Sequence, residues 1–315
     1  MGAALLRRVG LAAAVLSIAG CAASPSREAA LALQQIAPGV HVATGLIEEW
    51  GPTNDGRVAN IGFVVGERCV AVIDSGGSRS HGRALAAAVR RTTDRPVCYL
   101  INTHAHPDHV LGNEAFVPAE GAGPQIVGHR RLPAALAVRG PHYLRALQRD
   151  FDPADGSATL KPPTLTVDTA LTLDLGGRLL SLRAWPTAHT DADLSVLDEA
   201  TGTLWLGDLL FTEHVPIVDG RLKGWLAVLD ELRGWPVRIV VPGHGPPGRD
   251  WPAALEPQRR YLMQLQADVK RALQAGWTLG EAVERIAPDR LDWKLLDHYH
   301  TRNVTAAYAE LEWDD

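Results

Sequence analysis

The chain has 315 residues, 46% of them hydrophobic and 21% charged, an ordinary globular composition with enough material for a sizeable core. With 36 acidic against 31 basic side chains the net charge is −5, so neither nucleic acid nor an acidic membrane surface is an expected partner. The length allows one large domain or two small ones, and no short repeat or low-complexity tract divides it.

The N-terminus reads as an export signal. Arg7 and Arg8 form a positive n-region, and "VGLAAAVLSIAG" is an apolar stretch too short to span a bilayer comfortably. Small residues lead into Cys21, and "SIAGC" resembles a bacterial lipobox. That resemblance implies a lipoprotein-type signal peptide over 1–20, diacylation at Cys21 and a tether over 21–32. It also implies a periplasmic protein lipid-anchored to the membrane, the outer membrane being favoured by Ala22. Simple secretion with an incidental cysteine is the alternative. The Arg7–Arg8 pair leaves twin-arginine export open, although its flanks match that signal poorly.

Apolar runs bounded by turn residues recur from residue 40 onward. "VHVATG", "ANIGFVVG" and "CVAVIDSGG" predict three strands, "SRSHGRALAAAVRRTT" a helix, and "VCYLINTH" a strand parallel to the one before the helix. "PQIVGH" predicts a strand and "RRLPAALAVRG" a helix, while the polar, proline-bearing stretch 140–162 has no firm assignment. Strands resume with "TLTVD", "ALTLDLGG" and "RLLSLRAW", turning at Gly176–Gly177. "LSVLD" and "TLWLGD" pair across "EATG", and "VRIVVPGHG" is the last strand. Beyond it, Leu255, Leu262, Leu265, Val269 and Leu273 recur at helical spacing, Gly276 stops that helix, and Thr278–Glu281 is a capping-box pattern. A final amphipathic segment is expected from about Asn303. No linker sets the helical segment 251–315 apart, so 33–315 reads as one α/β domain, a sandwich of sheets covered by helices.

Cys69 and Cys98 each stand five residues before the polar residue at a strand end, Asp74 and Thr103. If the two strands are parallel neighbours the cysteines lie level, and an oxidising compartment permits a disulfide. Two small buried hydrophobes are the equal alternative.

"THAHPDH" places His104, His106, Asp108 and His109 in the loop after a buried strand, where layered α/β folds build ligand sites. Imidazole and carboxylate are preferred ligands of zinc and of other borderline divalent ions. Further candidates stand at other strand ends: His189 in "TAHT", Asp208 in "TLWLGD" and His244 in "VPGHG". A lone histidine is more often structural. Three such residues downstream of an HxHxDH cluster are hard to explain by packing.

This ordered set, "THAHPDH", "TAHT", "LGDLLF" and "PGHG", resembles the metallo-β-lactamase superfamily from about residue 33 to the end of the chain. The resemblance implies a four-layer αβ/βα metallo-β-lactamase sandwich with C-terminal helices. It also implies two Zn2+ ions, with Fe or Mn as other divalent options. By that pattern His104, His106 and His189 bind one ion, Asp108, His109 and His244 bind the other, and Asp208 bridges both. Asp74 resembles the family's strand-end aspartate that supports the metal loop from behind; its alternative is a turn former. Trp50 lies where relatives carry a substrate flap; an exposed loop aromatic is the alternative. "NIGFVVGERCVAVIDSGG", "CYLINTHAHPDHVLGNEAF" and "NVTAAYAELEW" look like the SoxH-like, quinoprotein relay system zinc metallohydrolases. That likeness implies a periplasmic quinoprotein-system partner.

The expected activity is hydrolysis of a small ester, lactone, thioester or amide-like substrate by a metal-held hydroxide, with Asp108 orienting the nucleophile and relaying its proton. Three alternatives accompany it: a metallo-β-lactamase, a mononuclear iron persulfide dioxygenase and a non-catalytic metal-binding lipoprotein. Asp208 stands where β-lactamases carry cysteine or serine, and the full second ligand set argues for two ions. Specificity is expected from loops at residues 50–56 and 140–160. His129 and His142, beside helices, read as structural, and His298 and His300 have no identifiable partners.

Overall fold

A computed structural model describes residues 1–2, 31–118, 121–151, 158–288 and 292–313. The signal peptide, Cys21 and most of the tether lie outside the described residues.

The first sheet has seven strands in chain order: β1 (Gln34–Ala37), β2 (Val40–Ala43), β3 (Ile61–Val65), β4 (Val70–Ile73), β5 (Val97–Ile101), β6 (Gln125–His129) and β7 (Leu165–Val167). It is antiparallel up to β4 and parallel from β4 to β7. The second has five, in the order β12-β11-β10-β9-β8: β8 (Ala170–Asp174), β9 (Leu179–Ala184), β10 (Leu194–Asp198), β11 (Thr203–Phe211) and β12 (Ile239–His244). Val64, Ile73, Ile101 and Val127 on one sheet meet Leu182, Val196, Trp205 and Val241 on the other, forming the inner core. Such a core needs both sheets apolar on their facing sides, which the near-continuous apolar runs supply.

Helices cover the outer faces. α1 (Arg79–Thr92) starts where the Ser78 side chain accepts from the His81 N–H, and it lays Leu85, Ala86 and Val89 on the first sheet. Burying Leu85 completely contributes roughly 1.5–3 kcal/mol relative to leaving it exposed. α4 (Leu222–Leu232), α5 (Glu256–Gln274), α6 (Leu279–Arg285) and α7 (Leu296–Leu311) pack on the second sheet through Trp225, Leu262, Ala282 and Val304. Four layers result, helix, sheet, sheet, helix, as the sequence pattern predicts. The capping box at Thr278–Glu281 is formed in both directions.

Several details depart from expectation. β1 was not foreseen. The unassigned stretch from 140 is helical as far as Asp150, because α3 (Leu132–Asp150) continues through Pro141, which reads in sequence as a breaker. The last helix starts at Leu296 rather than near Asn303. Its first residue follows Leu295 in a left-handed conformation with no side-chain cap, so no start signal marks it. Cys69 and Cys98 form a disulfide with Cα atoms 5.8 Å apart. Parallel pairing of β4 with β5 brings them level, and the register skips Cys98 between Val97 and Tyr99.

Candidate metal centre

The parallel strands deliver their ends to one edge of the sandwich. β5 leads into the loop carrying His104 and His106, and the one-turn helix α2 (Pro107–Val110) presents Asp108 and His109. His189 follows β9, and His244 closes β12. Asp208 is not at a strand end as expected. It lies inside β11 where the register to β12 is irregular on both sides of Gly207. A bulge re-aims a side chain, and here it directs a carboxylate out of an otherwise apolar, fully buried strand. Two glycines make room. A Cβ at Gly243 would stand 1.9 Å from Asp208 Oδ1, and one at Gly207, whose φ is +51°, would stand 2.5 Å from Thr103 Oγ1.

The seven candidates converge as two groups. His104, His106, His189 and Asp208 form one, and Asp108, His109 and His244 the other, with the ligand-type atoms of each group within 4.8 Å of one another. The oxygens of Asp208 divide between them. Oδ2 lies 3.6 Å from His104 Nε2 and 3.4 Å from His189 Nε2. Oδ1 lies 3.1 Å from His109 Nε2 and 3.4 Å from His244 Nε2. Asp108 Oδ2 completes the second group at 3.3 Å from His244 Nε2 and 3.5 Å from His109 Nε2.

Each imidazole is held from behind. His109 Nδ1 donates to Asp74 Oδ2 at 2.8 Å, and Asp74 also accepts from the Thr103 amide and hydroxyl, both at 2.8 Å. These bonds hold Asp74 at φ 54°, a conformation tolerated by few residues besides glycine. Because the Thr103 hydroxyl is spent on Asp74, His104 Nδ1 donates to Thr103 Oγ1, at 3.1 Å. His189 Nδ1 donates to the Ile217 carbonyl at 2.8 Å, and His244 Nδ1 to the Val58 carbonyl at 3.0 Å. His106 is turned the other way round: Nε2 donates to Asp219 Oδ2 at 2.9 Å, leaving Nδ1 inward. In a neutral ring each of these bonds leaves the inward nitrogen as a lone pair, the state a cation requires.

The donor set fits divalent metal. Buried and without a hydrogen-bond partner are His104 Nε2, His109 Nε2 and Asp208 Oδ1, and each such atom costs about 1–3 kcal/mol if nothing compensates it. The inward nitrogens of His106 and His189 face each other at 3.1 Å, close enough for one cation to take both. Burial, the largest influence on His104, pushes its pKa well below 6.5, and burial holds His189 down to about 3. Burial also opposes charge on His109 and His244. For His109 the carboxylates of Asp108, Asp208 and Asp74 outweigh it and raise the pKa well above 6.5. For His244, Asp208 and Asp108 raise it to about 9. Against its own burial, His109 and His244 draw Asp108 down to about 2. Two buried carboxylates thus demand positive charge at this point.

A cavity of about 560 Å³ opens onto the centre. Trp50 lines it but is pinned: its Nε1–H donates to the Gly77 carbonyl at 2.8 Å and its ring packs on Phe151 at 4.9 Å. His142 faces the cavity too, not the helix packing expected of it, because α3 runs along the rim. His129 is buried and accepts from the Arg131 N–H. His298 pairs with Glu49 at 3.3 Å, and His300 is buried between Tyr261 and the Ile286 carbonyl. Sequence reasoning missed Asp219, Arg139, His214, Tyr299 and Arg302, all on or behind the cavity wall. The one available signal was "VDGR", an acidic turn residue soon after the Asp208 strand.

Residues 54–244 match the family model of the metallo-beta-lactamase superfamily, and the chain belongs to that superfamily. It is similar to a linear primary-alkylsulfatase of Pseudomonas sp., with 25% identity over 68% of this chain and 47% of the relative. It is also similar to a coenzyme F420H(2) oxidase of Methanothermobacter marburgensis, with 28% identity over 67% of this chain and 50% of that one. The chain thus spans about half the length of the curated relatives it matches. Among solved structures, a stereoselective inverting sec-alkylsulfatase from Pseudomonas sp. superposes with a TM-score of 0.66 at 15% identity, covering 90% of this chain and 50% of that one.

Proposed function

We propose that this member of the metallo-beta-lactamase superfamily is a dinuclear zinc hydrolase of a small ester, lactone, thioester or amide-like substrate. The observation that carries the reading is the division of Asp208, one oxygen toward each histidine group. His104, His106, His189 and Asp208 would hold one ion, and Asp108, His109, His244 and Asp208 the other. Divalent ions held there would supply Lewis acidity and bring the pKa of a coordinated water down to about 7. The chain's own part is positional. Asp74, Asp219 and three backbone carbonyl or hydroxyl acceptors fix the imidazole planes before substrate arrives, so no reorganisation is needed during reaction. Asp108, at the floor of the cavity, stays a carboxylate and can accept a proton from the attacking group. Pinned Trp50, together with Tyr143 and Tyr299, lines the approach with aromatic surface.

The test is metal analysis of purified protein coupled to a panel of ester, lactone, thioester and lactam substrates. Two zinc ions per chain with turnover are expected; a single iron with no hydrolysis would overturn the reading in favour of a persulfide dioxygenase. The similarity to a primary-alkylsulfatase favours one second reading, a sulfate ester as substrate, and an alkyl sulfate belongs on the panel. Export, the anchor at Cys21 and a periplasmic quinoprotein partner are part of the proposal. They rest on "SIAGC" and on the SoxH-like segments.

A further inference from the structure

We propose that Arg139 and Arg302 form an oxyanion-binding subsite on the wall of the metal cavity, so that the substrate carries an anionic substituent beside the bond that is cut. This rests on reading the centre as a metal-dependent hydrolase. Arg139 reaches from α3 and Arg302 from α7, and both guanidinium groups end on one carboxylate. Arg139 donates to Asp219 Oδ2, and Arg302 to Oδ1 at 3.2 Å. Asp219 spends the same Oδ2 on His106. One negative charge therefore faces two positive ones, and the surplus stands next to a candidate metal ligand.

A guanidinium carries five N–H donors in a planar fork suited to carboxylate, sulfate or phosphate. Asp219 takes one contact from each arginine and Tyr143 a further one from Arg139, which leaves the remaining donor edges, chiefly those of Arg302, for a ligand. Both residues line the cavity. The Arg302 side chain is 52% exposed, so its bond to Asp219 adds little to stability, and fold maintenance is a weak explanation for it. Of the acidic residues lining the same cavity, Asp108 and Asp208 belong to the metal groups, and the two glutamates are engaged elsewhere. Glu48 accepts from Asn54 at 3.0 Å, and Glu49 pairs with His298. The cavity is thus polarised: free donor capacity lies on the side of His106. Arg302 also lies beyond residue 244, where the family match ends, so this half of the subsite belongs to the C-terminal helices of this chain.

The experiment pairs binding with turnover in the zinc-loaded protein. Calorimetric titration uses methyl sulfate and propionate as anions and propionamide as the neutral control. Both anions are expected to bind, propionamide not, and Arg302→Gln and Arg139→Gln are each expected to weaken binding about tenfold. Arg302→Lys should recover part of the loss. The relative strength of the two anions reports whether sulfate or carboxylate is the better fit. The kinetic arm compares 4-nitrophenyl hemiglutarate with uncharged 4-nitrophenyl valerate. The anionic ester should have the higher kcat/KM, through KM, and the ratio should collapse in Arg302→Gln. Anion affinity identical in native and both glutamine variants would overturn the subsite, the ions alone then holding the anion. Arginine-dependent anion binding with no ester turned over would keep the subsite and sink the hydrolase reading. Equal turnover of both esters without arginine-dependent binding would do the reverse.

Discussion

His106 and Asp219 stand 113 residues apart in sequence and share a 2.9 Å hydrogen bond that turns His106 end for end relative to the other four imidazoles. It presents Nδ1 inward where they present Nε2. The orientation of a candidate ligand is therefore set by a residue on a different loop, which two arginines from two helices hold in turn.

Replacing Asp219 by alanine should free the His106 ring and weaken zinc at the first group by about 10–100-fold. Competition with a chromophoric chelator measures this directly. Affinity unchanged from the native protein would mean that His106 does not depend on Asp219.

Asp208 is the residue whose loss should be felt at both groups. Asp208→Ala is expected to lower the metal content below one ion per chain and abolish hydrolysis. Elemental analysis of the variant decides it, and a full complement of two ions would refute the bridging assignment.

A smaller change should act through the same carboxylate. In Gly243→Ala the new methyl would meet Asp208 Oδ1 at 1.9 Å, with the backbone of Gly207 also too close to yield. Overpacking of this kind costs typically 1–3 kcal/mol. Thermal unfolding should show the loss in metal-free protein, and metal affinity should fall as well. A variant with native melting temperature and native affinity would contradict the geometry.

Acid sensitivity should come in part from His81, far in sequence from the metal groups. It is buried, and burial first, then the positive charge of Arg57, lowers its pKa to about 4 from 6.5. The unfolded chain therefore binds a proton at a pH where the folded chain does not. The associated stability is complete above pH 6.5 and is lost as pH falls from there towards 4, up to about 3 kcal/mol. Urea unfolding at pH 7.5 and 5.0, with chelator present, should show a smaller pH dependence for His81→Gln than for the native protein. Identical dependence in the two would assign the acid sensitivity to other groups.

Much of the scaffold was legible because its signals are local. Continuous apolar runs ending in Asp74, Thr103 and His244 marked buried strands, and Thr278 marked a helix start by side-chain chemistry. Other features were hidden for equally local reasons. Pro141 inside α3 imitates a break, and Leu295 offers no capping group, so the helix that brings Tyr299 and Arg302 to the cavity begins seven residues before its visible pattern.

By itself the sequence determined the succession of strands along the chain from β2 to β12 and the seven residues whose chemistry suits a metal, because periodicity and ligand type are carried residue by residue. Only the tertiary structure decided how they are used. The bulge at Gly207 splits the two oxygens of Asp208 between two histidine groups, and hydrogen bonds donated to Asp74 and Asp219 choose the nitrogen that His109 and His106 turn inward. Two helices remote from the motifs supply the cationic wall. These are relations of distance and direction between separate segments, 35 residues apart for Asp74 and His109 and 113 for His106 and Asp219, and no spacing along the chain encodes them.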